Sequence, residues 1–195
     1  MNMFTFWLDP EMTSEATSPY PVTYNGTGSV DIVLYYGSND AQETVVSVTD
    51  APITLTPVSM LEQWKPRKYY KAGEIIEPTV SNGFMYKCTT PGTSGDGEPE
   101  WGAGYVGTTI NSGTAQFTHY GAKFVPSDVR LALNRAGLDK ADAGSGVSLG
   151  KSLQGGSPVA IYMRLTNRFT DVRNDSTDPC IYIGTNKLRF SKQAI

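Results

Sequence analysis

The sequence predicts an all-β fold, a β-sandwich split by an inserted small aromatic module and preceded by an N-terminal arm. Three observations lead there. The 195 residues include 20 Gly and 12 Pro with abundant Thr, Ser and Val, the mixture of short strands and tight turns. Apolar residues recur at every second position in several short runs, the period of a strand with one buried face. The stretch from about residue 60 to 120 is dense in Trp, Tyr, Gly and Lys and poor in aliphatic runs, whereas the sequence on its two sides has one shared texture.

Residues 1–20 begin with Phe4, Phe6, Trp7 and Leu8 and continue through Pro10, Thr13, Ser14, Ser18 and Pro19. No period runs through them, so they read as an extended arm. The four apolar side chains either make assembly contacts on a neighbouring subunit or fold back onto the chain's own core, and the sequence leaves both open. From Ser29 onward Val30, Ile32, Leu34 and Tyr36 alternate with Asp31, Val33 and Tyr35, a strand closed by the turn residues Gly37, Ser38, Asn39 and Asp40. A β-branched run at 44–49 is a second strand. Asp50, Ala51 and Pro52 break it, and 53–57 is a third.

After residue 122 the same aliphatic alternation returns at 129–133, 147–149, 159–165, 181–183 and 188–190. A middle that differs between matching ends is most simply one domain interrupted at a loop, where an insertion costs least. The expected organisation is therefore an arm at 1–20, a split sandwich at 21–58 plus 123–195, and an inserted module at 59–122. Residues 127–137 also have helical spacing, with Ser127 as a cap. Their strand reading, with Val129, Leu131 and Leu133 on one side, fits the surroundings better.

Charge and targeting signals exclude several classes. The net charge is −3 and the 16 Lys and Arg are scattered, so the footprint of a direct nucleic-acid binder is missing. The first ten residues are apolar but lack a basic leading region and a small-residue cleavage site, which predicts a protein made and kept in a cytosol. No apolar run approaches the roughly 20 residues of a membrane helix, so no membrane partner is expected. Cys88 and Cys180 fall in different predicted domains, and buried thiols are favoured over a disulfide.

Catalytic chemistry has little to stand on. His119 is the one histidine, and a nucleophile needs an imidazole beside it with a third orienting group. One His and two distant Cys do not make a structural zinc site, and the acidic run 171–178 lacks the spacing and closing Glu of a calcium loop. Gly150, Lys151 and Ser152 lack the upstream glycine and following helix of a phosphate-binding loop. Glu74, Glu98 and Glu100 sit among aromatics, as glycosidase carboxylates do, but Glu98 and Glu100 flank Pro99 in a glycine-rich loop, a poor platform for acid and base. No enzyme activity, cofactor or metal is expected.

The most specific signal runs through the middle. Trp64, Tyr69, Tyr70 and Gly73 lead into Glu74, Ile75 and Ile76; Asn82 and Gly83 read as a tight hairpin turn; Phe84, Tyr86 and Cys88 return along a second strand. Gly92, Gly95, Glu98, Trp101 and a closing segment 109–117 follow. Trp64 and Trp101 are expected to close over a small three-stranded sheet, because so short a unit must draw most of its stability from its few aromatics.

This segment resembles small modules that recur in tailed-bacteriophage virion proteins and, more distantly, the chitin-binding modules of bacterial chitinases. The flanking halves, through residues 129–133, Leu138, 146–150 and 161–164, resemble a recurring virion β-sandwich, which makes the expected sandwich Ig-like or jelly-roll in type. The resemblance implies a multi-copy, homo-oligomeric structural component of a phage virion, as capsid decoration, neck or collar, or tail protein. Its partners would be other phage structural proteins and copies of itself, and it would be made in the host bacterial cytoplasm. The alternative is a glycan-binding accessory or adhesion module with a cell-surface glycan as partner. In the chitin-binding relatives exposed aromatics stack on sugar rings, and Tyr69, Tyr70 and Trp101 occupy comparable places here. The competing reading of those three rings, as core of a tiny sheet, is favoured because small domains bury the aromatics they have.

Overall fold

The structure, a computed structural model, describes residues 4–23, 27–49, 51–102, 105–168, 181–185 and 188–192. It is all-β. The strands are β1 (Thr5–Trp7), β2 (Gly28–Gly37), β3 (Glu43–Ser47), β4 (Thr54–Ser59), β5 (Glu62–Gln63), β6 (Tyr69–Tyr70), β7 (Ile75–Glu77), β8 (Phe84–Thr90) and β9 (Gly92–Thr93). They continue as β10 (Thr109–Ser112), β11 (Ala115–Ala122), β12 (Val129–Ala132), β13 (Val147–Ser148), β14 (Ser152–Gln154), β15 (Val159–Asn167), β16 (Ile181–Thr185) and β17 (Leu188–Lys192). Helical structure among the described residues is limited to two single 3-10 turns, Pro126–Asp128 and Arg135–Gly137. The chain divides into two compact units, unit 1 (residues 1–58 and 126–195) and unit 2 (59–125).

Unit 1 holds a four-stranded sheet in the order β1-β2-β15-β12 and two three-stranded sheets, β13-β4-β16 and β14-β3-β17. The alternation read from 29–36 is the reason β2 can bury one face: Leu34 and Tyr36 are core residues while Asp31 is exposed. β15 lies antiparallel to β2 along its whole length, from Val159 opposite Tyr36 to Asn167 opposite Gly28. Within that ladder Arg164 stands opposite Asp31 and donates to both of its carboxylate oxygens, at 2.7 and 2.8 Å, and to Asp139 at 2.6 Å. One core gathers Leu34, Tyr36, Ile161, Met163, Val129 and Leu131 from the four-stranded sheet with Val45, Leu55 and Leu153 from the other two.

Residues 127–137 resolve as the strand β12 between the two 3-10 turns, with Val129 and Leu131 buried. Leu133 lies past the strand end and is exposed. The acidic run 171–178 and Cys180 lie outside the described residues.

The expected extended arm is corrected. Residues 5–7 form β1 and pair with β2 of the same chain, Thr5 opposite Gly37 and Trp7 opposite Tyr35. The segment then turns back on itself: Leu8 N donates to Ser14 O, Ala16 N donates to Phe6 O, and Asp9 accepts from the backbone N–H groups of Thr13 and Ser14. An aspartate that takes the amides four and five residues ahead closes this turn locally, and those same hydrogen bonds, that of Thr13 first, hold its carboxyl low against the opposing effect of burial.

Unit 2 carries a five-stranded sheet in the order β10-β11-β8-β7-β5 and a two-stranded pair, β6 with β9, where three strands were expected. The additional strands come from the 109–117 segment, which is a hairpin with a two-residue loop, Gly113 in positive φ at its first position, and from β5, which runs parallel to β7. Gly113 tolerates no side chain, since an added Cβ would lie 2.3 Å from the Thr93 carbonyl oxygen. Asn82 and Gly83 do not form a two-residue hairpin. Pro78 ends β7, having no N–H to give the ladder, and the link runs from 78 to 83, where the Asn82 side chain accepts from Phe84 N and donates to the Tyr86 hydroxyl. Unit 2 also runs to residue 125 instead of 122, because Lys123 still bonds inside it through its backbone to Gly83 O and through its ammonium to Ser59.

Candidate functional site

The sequence offers two sets of binding residues, and the structure uses most of both internally. In the N-terminal segment Phe4 and Trp7 are buried, Phe6 is half-buried, and Leu8 alone of the four is exposed. Phe6 packs its ring 5.2 Å from that of Tyr36, Phe4 lies 6.2 Å from the same ring, and the Trp7 indole N–H donates to Gly37 O at 3.0 Å. These side chains complete the edge of their own sheet. As contacts to a neighbouring subunit, Phe4, Phe6 and Trp7 are therefore corrected to residues of the chain's own fold.

In unit 2 the alternation of a strand separates two adjacent tyrosines. Tyr70 is fully buried and Tyr69, its neighbour on β6, is 58% exposed. The Tyr70 ring meets Phe117 edge-on at 5.1 Å, and its hydroxyl accepts from Lys65 N at 2.7 Å. Trp101 is buried between Tyr86, 4.5 Å away, and Phe117, 5.5 Å away. With Trp64, Ile76, Cys88 and Ala115 these rings make the core of the unit. Tyr70 and Trp101 are thus committed to the core, at 0% and 7% exposure, a correction to two of the three stacking candidates, while Tyr69 keeps an accessible face.

Burial has its usual electrostatic consequences here. It pushes the phenols of Tyr70 and Tyr86 up, with the Lys65 backbone and the Asn82 amide acting against it respectively. Burial, reinforced by the nearby Glu74 carboxylate, also pushes the Cys88 thiol up, which makes it a poor nucleophile.

The three carboxylates considered for acid-base work have other employment or none in common. Glu74 accepts from Lys71 N at 3.1 Å. Glu98 accepts from Thr79 N at 2.8 Å, from the Thr79 hydroxyl, and from the Trp101 indole at 2.7 Å. Burial opposes ionisation of Glu98, but the Thr79 and Trp101 hydrogen bonds outweigh it and hold the carboxyl below its ordinary value. Glu98 is a bracket between the 78–83 link and Trp101. Glu100 lines a half-open cavity of about 250 Å³ with Trp101, Gly102, Thr108, Thr109, Ile110 and His119. His119 is buried, its ring 4.8 Å from Phe84 and 5.5 Å from Tyr86.

Among the described residues no three His, Cys, Asp or Glu side chains gather as a metal site would need, and no helix is long and apolar enough to cross a membrane. Other exposed apolar side chains on unit 2 are Met60, Val80, Tyr105 and Val106, the tyrosine 92% exposed. Sequence reasoning missed the most buried charges of the unit, Glu77 and Lys123. Each is an isolated charge in a mixed segment, and nothing local marks it as interior. Compared with protein-family models, with curated proteins and with solved structures, the chain finds no match.

Proposed function

We propose that this chain is a structural component of a tailed-phage virion, a capsid decoration, neck or collar, or tail protein that acts through contacts with copies of itself and with other phage proteins. The observation that supports the reading most is how the resembling residues are distributed. Trp64, Tyr70, Tyr86, Trp101 and Phe117 share one core, while Val129, Leu131, Leu149, Ile161 and Met163 share another. The two segments that separately resemble virion elements are thus two separate packing units. On this reading unit 1 is a β-sandwich of Ig-like or jelly-roll type, with its sheets facing each other across the shared core, and unit 2 is the module inserted into it. Partner contact falls to exposed apolar side chains such as Tyr69 and Tyr105, which are accessible on unit 2.

Mass spectrometry of purified particles should find the chain at a stoichiometry of many copies, and a particle reconstruction should place it among ordered neighbours. Particles that assemble in its presence and never contain it would overturn the proposal. A glycan-binding role is the second reading, supported by Tyr69 and by the cavity beside Glu100. Glycan-array binding that Tyr69→Ala abolishes, with the fold intact, would favour it.

A further inference from the structure

Unit 2 contains a buried ion pair at a telling position. The Lys123 ammonium is wholly buried and contacts the Glu77 carboxylate, itself almost wholly buried. The same ammonium donates to Ser59 Oγ at 2.9 Å, and Lys123 N donates to Gly83 O at 2.9 Å. Ser59 is the first residue of the unit and Lys123 lies close to its last, residue 125. Glu77 closes β7, an interior strand of the five-stranded sheet. One charge cluster therefore ties the leading end, the trailing end and the middle of the sheet together.

A buried charge is tolerated only when its partner is in place, so neither end can leave without stranding the other's contact in the interior. An apolar pair at these positions would bury as well but would not demand a single arrangement of the ends. The core beside this cluster is also self-sufficient, since every residue in it lies between Trp64 and Phe117.

We propose that Glu77, Lys123 and Ser59 form a clasp that fastens the two ends of unit 2 to each other, so that unit 2 stays folded when unit 1 is unfolded. The test uses the full-length chain with the unit 1 core broken by Ile161→Asp, a position with no solvent exposure. Amide hydrogen exchange should still show Tyr86 and Phe117 protected. Adding Lys123→Met in that background should speed their exchange by roughly a hundredfold to a few thousandfold, the loss expected when one partner of a buried pair is removed. Adding Glu77→Gln as well should recover part of that loss, because the stranded carboxylate is gone, and this double variant decides the matter if Lys123→Met alone does not fold. Loss of unit 2 protection in the Ile161→Asp chain would show that the unit does not stand alone. Exchange unchanged by Lys123→Met, or no recovery in the double variant, would show that the cluster is not what holds the ends.

Discussion

Trp101→Ala should unfold unit 2, and this separates a core role from a surface one. A tryptophan buries roughly 150–250 Å², which at about 25 cal/mol per Å² amounts to roughly 4–6 kcal/mol. Truncations of buried Phe or Trp to Ala cost about 3–5 kcal/mol when measured directly, and the lost indole bond to Glu98 adds about 1 kcal/mol. A domain the length of unit 2 has a total stability of roughly 3–10 kcal/mol, at about 0.05–0.15 kcal/mol per residue. The truncation therefore removes a large part of what the unit has. Guanidinium unfolding followed by Trp64 fluorescence should show its transition moved to low denaturant or lost, while Trp7 in unit 1 reports its own transition unchanged. Tyr69→Ala, at an exposed position on β6, should shift the midpoint by less than about 0.5 kcal/mol equivalent. A Trp101→Ala chain that keeps the unit 2 transition within about 1 kcal/mol of the parent would refute the assignment of this ring to the core.

Four further outcomes follow from the geometry. Deleting residues 1–16 should destabilise unit 1 by several kcal/mol, about 1.5–3 for each of the buried Phe4 and Trp7, read as a lower midpoint in a thermal melt of its near-ultraviolet signal. Gly113→Ala should abolish or severely weaken unit 2 folding, because both the positive φ of 62° and the 2.3 Å approach to Thr93 O forbid a side chain; circular dichroism and soluble yield check it. The folded Glu98 carboxyl is held below its unfolded value, so its contribution is present above the unfolded value of about 4.3 and fades as pH falls through the folded one. Tyr70 and Tyr86 are raised in the fold, so theirs is present below about pH 10 and is lost as pH rises through their folded values. Unit 2 should thus lose stability at both extremes, and Glu98→Gln should flatten only the acid limb of a stability-versus-pH curve. Cys88 should resist a thiol reagent at neutral pH until the unit unfolds, as peptide mapping after pulse labelling would show; rapid native labelling would contradict its burial.

Apart from β1 and β14, the strands of unit 1 were legible because their signal is local: a period of two, written in Val30, Ile32, Leu34 and Tyr36, is enough to choose a face. Leu153 and Gln154 read as loop beside Gly155 and Gly156, yet they lie on β14. What the apolar N-terminal residues cover was not legible. Phe4 and Trp7 announce only that they need a partner surface, and whether that surface belongs to the same chain depends on the free edge of β2, a long-range fact. The aromatic core of unit 2 was largely readable, since Trp64, Tyr86 and Trp101 are too large to leave bare in a small unit. Tyr69 and Tyr70 carried an unused signal, because neighbours on a strand must point opposite ways. The Asn82–Gly83 hairpin misled because a favourable dipeptide was read without Pro78, which ends the preceding strand too early for a tight turn. Lys123 and Glu77, distant in sequence, meet only once the sheet is assembled.

The Arg164 fork on Asp31 has an effect on how the long pairing finds its place. If β15 slid by one residue along β2, the guanidinium would face Val30 or Ile32, and Ile161 and Met163 would swing from the core toward water. Slips of two residues would keep the buried face inward, so the apolar alternation alone leaves more than one alignment open. The arginine and aspartate mark one of them, as a key and its ward do, because only that alignment closes the fork.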